Sequence, residues 1–251
     1  MEEKQGLPLT GERTVPNVPL ERYWFARHEA VYGWIVQRYG RSWRDVIEAG
    51  CGEGYGAAMI AEGPAQPAVL GLDYDPAVVA HVAACYPQVA VARADLGALP
   101  VSSESASAVV SLQVIEHLWD LGGFLAEALR ALQQGGDVVI STPNRITFSP
   151  GRERGEKPTN PFHVEEFDAD QVAGMLQHAG FRSVEVFGLH HGPALLDWQR
   201  QHGSVVRAHI DAVLPGVWPP ALLELLPTVT AADFVVGPPA DSLDLIGVGC
   251  K

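Results

Sequence analysis

From residue 45 onward, short apolar runs bounded by turn residues alternate with segments of helical periodicity. No other feature of the sequence constrains the fold as strongly. DVIEAG (45–50), AVLGLDYD (68–75), VAVARADL (89–96), SASAVVSLQVI (105–115), DVVISTPN (137–144) and RSVEVFGL (182–189) read as strands 1 to 6. Between them GYGAAMIAEG (54–63), PAVVAHVAACYP (76–87), GGFLAEALRALQQGG (122–136) and DADQVAGMLQHAGF (168–181) read as helices, with Pro76 and Asp168 as start signals and Gly ending the third. LERYWFARHEAVYGWIVQRYG (20–40) is an amphipathic helix ahead of the first strand. PALLDWQRQHGSVVRAHIDAVL (193–214) is helical, and ADFVVG and DLIGVGCK close the sheet. Such alternation implies an α/β chain built on parallel βαβ units covered on both faces. Ligands of these sheets bind beyond the carboxyl ends of the strands, so the residues that follow strands 1 to 5 are the candidates.

EAGCGEGYG (48–56) follows strand 1 and opens a helix, where glycine allows a tight turn and close approach of a ligand to the backbone. Gly52, Gly54 and Ala57 also satisfy the dinucleotide pattern GxGxxA. Glu48, two residues before Gly50, would repel a pyrophosphate but can accept from an ammonium group. Asp73 follows strand 2 about twenty residues after the loop, the position of a ribose-binding acid. Asp95 follows strand 3, where it can accept from an adenine amino group. A ribose, an adenine and a cationic amino-acid tail, without phosphate, fit all three acids.

EAGCGEGYG, GLDYD, RADLGALP and SLQVIEHL resemble, in order and spacing, the class I S-adenosylmethionine-dependent methyltransferases. The resemblance covers roughly residues 44–190. It implies a Rossmann-like, seven-stranded, mostly parallel sheet with helices on both faces. It also implies S-adenosyl-L-methionine as cofactor, with Glu48, Gly50, Gly52 and Gly54 on the methionine side. Asp73 and Tyr74 would hold the ribose, Asp95 and Leu96 would flank the adenine, and Gln113 would lie near the sulfonium. Residues 1–40 are then an N-terminal helical cap. Residues 41–251 are the cofactor-binding domain, with a helical insertion at about 193–230 that offers a lid or a homodimer surface.

Strand 4 ends in QVIEHLWD (113–120), where Glu116 and His117 follow an apolar run. They can cap the next short helix. Alternatively, His117 can remove a proton from the methyl acceptor near neutrality. A third reading is a divalent cation that holds an acceptor hydroxyl and lowers its pKa. NPFHVEEF (160–167), after the loop that follows strand 5, supplies His163 with Glu165 and Glu166. The arrangement resembles class I enzymes in which ExxEH joins a later His to hold magnesium (Mg2+). Here Gln113 replaces the first acid, so one negative ligand is absent. His190 and His191, after strand 6 at the same edge, are read as acceptor-binding or as loop residues. His28, His81, His178, His202 and His209 fall on helices as structural or solvent-facing groups.

The formal net charge of −13 disfavours nucleic acids and anionic membranes as partners. The [DN]PP[YF] signature by which exocyclic-amine DNA methyltransferases resemble one another is missing after strand 4. Three scattered cysteines without zinc spacing fit a reducing cytoplasm, and no apolar run is long enough to span a bilayer. A small or oligomeric polar acceptor remains. Tyr23, Trp24, Arg27 and His28 on the first helix are expected to cover it, together with the long loop STPNRITFSPGRERGEKPTNPFH. PLTGERTVP…YWFARHEAVY, QVIEHL and STPN…NPFHVEEF together resemble actinobacterial sugar O-methyltransferases. That implies a sugar hydroxyl as acceptor, in particular the 1-OH of a short methylated mannoside. The alternatives are a metal-free quinone, lipid or natural-product methyltransferase, a non-catalytic S-adenosylmethionine-binding protein and, more distantly, an NAD-dependent oxidoreductase.

Overall fold

The computed structural model describes residue 7, residues 13–213 and residues 215–251. Most of the PLTGERTVP segment, residues 8–12, and position 214 of the 193–214 helix lie outside the described residues. The strands are β1 (Asp45–Ala49), β2 (Ala68–Asp73), β3 (Ala90–Arg93), β4 (Ala106–Leu112), β5 (Leu132–Pro143), β6 (Arg182–His191), β7 (Phe234–Gly237) and β8 (Asp244–Cys250). The helices are α1 (Arg22–Tyr39), α2 (Tyr55–Ala61), α3 (Pro76–Cys85), α4 (Leu121–Ala131), α5 (Arg145–Phe148), α6 (Ala169–Ala179), α7 (Pro193–His202), α8 (Val205–Val213) and α9 (Pro220–Leu225).

The strands form one sheet in the order β3-β2-β1-β4-β5-β8-β6-β7. The first five in this order pair in parallel, whereas β8 is antiparallel to both β5 and β6, and β6 is antiparallel to β7. This is the Rossmann-like methyltransferase fold, with eight strands rather than the expected seven. Two apolar layers cover the sheet. Val46, Val110 and Val139 pack on one face with Tyr23, Ile35 and Ile60; Ile47, Val109 and Ile140 pack on the other with Phe124, Val172 and Leu176. The central strands carry apolar side chains on both faces, as buried parallel strands do.

Four boundaries differ from the sequence reading, each for a local reason. Strand 4 stops at Leu112, not at residue 115, because Gln113 adopts φ 57° and Ile115–His117 forms a 3₁₀ turn. The helix expected to reach residue 136 ends at Ala131. From Leu132 the chain is extended, and Gly135 N–H and Gly136 C=O bond the backbone of Lys251 instead of a helical turn. The helix expected over 193–214 is two helices, broken at Gly203, whose φ of 85° favours glycine. His190 and His191 are not loop residues; they end β6 and pair with Val235 and Phe234 of β7. Among the described residues, no helix is long and apolar enough to cross a membrane.

Candidate active site

A cleft of about 1070 Å³ opens beyond the carboxyl ends of β1, β2 and β4. Gly50, Gly52, Asp73, Tyr74, Asp95, Leu96, Gln113 and His117 line it. Gly54 lies below as the α2 N-cap at φ 100°; a Cβ there would come within 2.7 Å of Val82 and 2.9 Å of Tyr86. A Cβ on Gly52 would meet nothing within 4 Å, so this stretch of backbone faces open space. Asp73 braces the loop: one carboxylate oxygen accepts from Gly52 N–H at 3.0 Å and the other from Asp75 N–H at 3.0 Å. The Tyr74 ring is 74% exposed beside it. Open glycine backbone, an acid after β2, an exposed ring and a second acid after β3 fit S-adenosylmethionine.

Glu48 does not reach the cleft. It is fully buried and accepts from Tyr32 O–H, and among the described residues its Oε2 has no partner. Burial pushes its carboxyl up to about 8, against the lowering effect of the Tyr32 and Ala57 hydrogen bonds. Its contacts brace α1 against the start of α2.

Arg13, Thr14, Tyr32, Glu53 and Tyr55 line the cleft without having been singled out in the sequence, whereas His28 was expected there. Arg13 pairs with Asp75 at 3.1 Å, and Thr14, His28 and Tyr55 bond one another at 2.9–3.2 Å, so the segment before α1 crosses the cleft. Burial and the nearby Arg27 push His28 down to about 3, keeping it neutral. Glu53 bonds His81 at 2.8 Å and Tyr86 at 2.6 Å. The i, i+4 spacing of His28 and Tyr32 was the available signal, since it puts both on one face of α1.

Glu116, His117 and His163 converge at the edge of the cleft, with one ligand atom from each within 4.8 Å of the others. Backbone bonds join their segments: Val164 N–H and Glu165 N–H both donate to Glu116 C=O, at 2.7 and 3.3 Å. Asn160 turns the second segment, its Oδ1 accepting from Phe162 N–H and its Nδ2 lying 3.0 Å from His163 Nε2. His117 Nδ1 lies 3.2 Å from Phe162 C=O, so this nitrogen is the N–H donor and Nε2 keeps its lone pair. His163 Nδ1 lies 2.7 Å from Glu166 Oε1, which fixes its tautomer in the same way. The His117 and His163 ring centroids are 5.0 Å apart. Glu116 is buried and, among the described residues, its Oε2 has no hydrogen-bond partner; burial pushes its carboxyl up to about 7, against the lowering effect of His163. One carboxylate and two imidazoles at this spacing fit a divalent cation or a proton-transfer site.

Of the four acceptor contacts expected on the first helix, His28 lines the cleft and Tyr23, Trp24 and Arg27 do not. Tyr23 is fully buried, with its hydroxyl 2.7 Å from His191 Nε2. Arg27 makes a buried bidentate pair with Asp244. Trp24 packs between the Arg27 guanidinium and His209. All three were expected to cover the acceptor because an amphipathic helix turns one face away from the core. The insertion α7–α9 and β7 cover its other side.

Residues 47–140 match the methyltransferase domain family. The chain is 47% identical over 98% of its length to the probable S-adenosylmethionine-dependent methyltransferase Rv3030 of Mycobacterium tuberculosis, 90% of which is covered. Over 55% of the chain and 51% of the relative, it is 29% identical to the malonyl-[acyl-carrier protein] O-methyltransferase of Hahella chejuensis. Among solved structures, a possible histamine N-methyltransferase from Thermotoga maritima superposes with a TM-score of 0.63 at 16% identity, covering 93% of this chain and 91% of that one. That likeness concerns the fold. The match to the mycobacterial protein covers 98% of the chain, and the chain belongs to the S-adenosylmethionine-dependent methyltransferases.

Proposed function

We propose that the chain transfers a methyl group from S-adenosylmethionine to a sugar hydroxyl, with the 1-OH of a short methylated mannoside as the acceptor. The observation that carries O-methylation is the convergence of Glu116, His117 and His163 within 4.8 Å at the edge of the cofactor cleft. A hydroxyl must lose its proton as its oxygen is methylated, and this cluster offers groups that take one. The Hahella relative, whose name specifies the methylated atom, is an O-methyltransferase.

The sugar is supported by the rim beside the cluster. Phe162 lines the cleft and is 60% exposed; Trp119, next to cleft-lining Leu118, is 90% exposed. Exposed aromatic faces attract the polarised C–H bonds of a pyranose, while Thr14, Gln113 and His117 offer hydrogen bonds to its hydroxyls. The net charge of −13 also favours a neutral acceptor over an anionic one.

S-adenosylmethionine supplies a methyl group on a positively charged sulfur and leaves as a neutral thioether. Gly50 and Gly52 would hold its amino-acid part, Asp73 and Tyr74 its ribose, and Asp95 and Leu96 its adenine. The work left to the chain would then be one of aligning the acceptor with the methyl group. Magnesium, held by Glu116, His117 and His163, would lower the pKa of the acceptor hydroxyl. His117 orients the acceptor from the cleft wall, and Glu166 holds His163 in one tautomer. A second reading omits the metal: two imidazoles and one carboxylate are fewer oxygen ligands than magnesium usually takes. His117 then removes the proton directly. α1 and the 193–230 insertion elaborate the domain on the acceptor side, and exposed Ile210, Val213 and Val217 on that insertion suit a homodimer.

The test is transfer of labelled methyl to a panel of mannosides, other sugars and phenols, with EDTA and with magnesium restored. The metal-assisted reading expects transfer to a mannoside that EDTA abolishes and magnesium rescues. EDTA-insensitive transfer selects the histidine base. Transfer to phenols alone overturns the sugar acceptor.

A further inference from the structure

The Gln113 side chain is held in one orientation by groups outside the cleft. Its Nε2 lies 3.2 Å from Asp244 Oδ1 and 3.2 Å from Ser141 Oγ. Among the described residues, Oε1 has no partner, and Gln113 lines the cofactor cleft. A flipped amide would set its oxygen against the Asp244 carboxylate, two acceptors facing each other, so the amide has one favourable orientation. The backbone is also committed: Gln113 adopts φ 57°, a left-handed conformation that a non-glycine residue holds at a cost.

Asp244 is itself fixed. Arg27 Nε donates to Oδ2 at 2.6 Å and Nη2 donates to Oδ1, with side-chain exposures of 5% and 1%. The Trp24 and Phe148 rings lie 5.4 and 4.7 Å from the Arg27 guanidinium carbon. Asp244 opens β8 in register with Pro143 of β5 and Leu189 of β6, so its backbone is held from both sides. A buried ion pair contributes little net stability compared with apolar residues of the same shape. Its orientation of Gln113 gives it a role that packing alone does not.

We propose that Arg27 and Asp244 are positioning residues for Gln113, whose Oε1 is thereby presented to the cleft to accept a hydrogen bond from an acceptor hydroxyl. This rests on the proposed O-methylation for the reaction assayed. It assigns Arg27 an indirect role in place of contact with the acceptor. The hydroxyl so held is a neighbour of the one that reacts, whose single proton is left to the Glu116, His117 and His163 cluster.

The test combines side-chain amide NMR of Gln113 with kinetics on the full chain. The wild type should show one Gln113 amide pair protected from exchange, identified by its loss in Gln113→Met and released in Asp244→Asn. Gln113→Met should raise the acceptor KM or lower kcat at least 10-fold, with cofactor affinity unchanged. Where Asp244→Asn does not fold, Ser141→Ala removes the other partner and should weaken the protection. A freely exchanging wild-type amide, or Gln113→Met with unchanged acceptor kinetics, overturns the proposal. A shift in cofactor affinity alone would overturn the acceptor hydroxyl as the donor. A protected amide in a protein that methylates no hydroxyl would instead overturn the O-methylation reading and leave the orientation intact.

Discussion

His163 Nδ1 lies 2.7 Å from Glu166 Oε1, with both side chains buried beside the cleft. The carboxylate accepts the Nδ1 proton, which leaves Nε2 as the acceptor nitrogen facing Asn160 Nδ2 at 3.0 Å and holds the ring in one tautomer and orientation. Glu166→Gln can no longer ensure that tautomer. Methyl transfer should fall roughly 10- to 100-fold, the usual range for an outer partner of a working histidine. Steady-state kinetics with cofactor affinity measured in parallel checks it; unchanged turnover would show that His163 needs no such support.

Glu48 gives the fold a specific dependence on pH. Its carboxyl is pushed up to about 8 by burial, so the native chain retains a proton that the unfolded chain releases near 4.5. Stability from this group is full below 4.5 and is lost as pH rises through 8, by at most about 1.4 kcal/mol per pH unit. Glu48→Gln has the shape of the protonated acid. Its denaturation midpoint should decline less between pH 6 and 9 than the wild type's; parallel declines would contradict the assignment.

His209 acts on the opposite limb. It is fully buried, both ring nitrogens lack a hydrogen-bond partner among the described residues, and burial pushes it down to about 4. The unfolded ring takes up its proton near 6.5, so stability from keeping it neutral is lost as pH falls from 6.5 through 4. His209→Leu removes two unsatisfied polar atoms and should stabilise the chain by about 1 kcal/mol at neutral pH, and by more at pH 5. Denaturant titration at both values measures the difference, and a destabilised variant at both would refute the argument.

Trp119 tests the acceptor side. Its side chain is 90% exposed two residues from His117, so truncation removes no internal packing of consequence. Trp119→Ala should raise the KM for a mannoside roughly 10-fold, about 1.4 kcal/mol, with little change in thermal stability. Trp119→Phe should retain most of the affinity. An unchanged KM in the alanine variant would remove Trp119 from the acceptor surface.

The parts of the fold legible in sequence were those with local causes. The glycine turn after β1, the acids after β2 and β3, and the Glu116/His117 turn each follow directly from their strand, so period and turn chemistry located them. His163 was reachable because its loop leaves and returns at the same sheet edge. Longer-range effects were not legible. Nothing local tells that Arg27 faces a carboxylate 217 positions later, or that Tyr23 meets His191 across the insertion. The start of β5 at Leu132 depends on the chain's own end, through the bonds of Gly135 and Gly136 to Lys251. The added strand belongs to the antiparallel edge, where pairing depends on neighbours far apart in sequence.

The central claim is that Glu116 and His117 carry the chemistry while the glycine loop, Asp73 and Asp95 carry the cofactor. The most direct measurement is transfer of labelled methyl from S-adenosylmethionine to a mannoside by the wild type, Glu116→Gln and His117→Ala, with cofactor affinity determined for each. The account predicts that both variants bind the cofactor as the wild type does and lose transfer by roughly 100-fold or more. Wild-type transfer rates in both variants would contradict it.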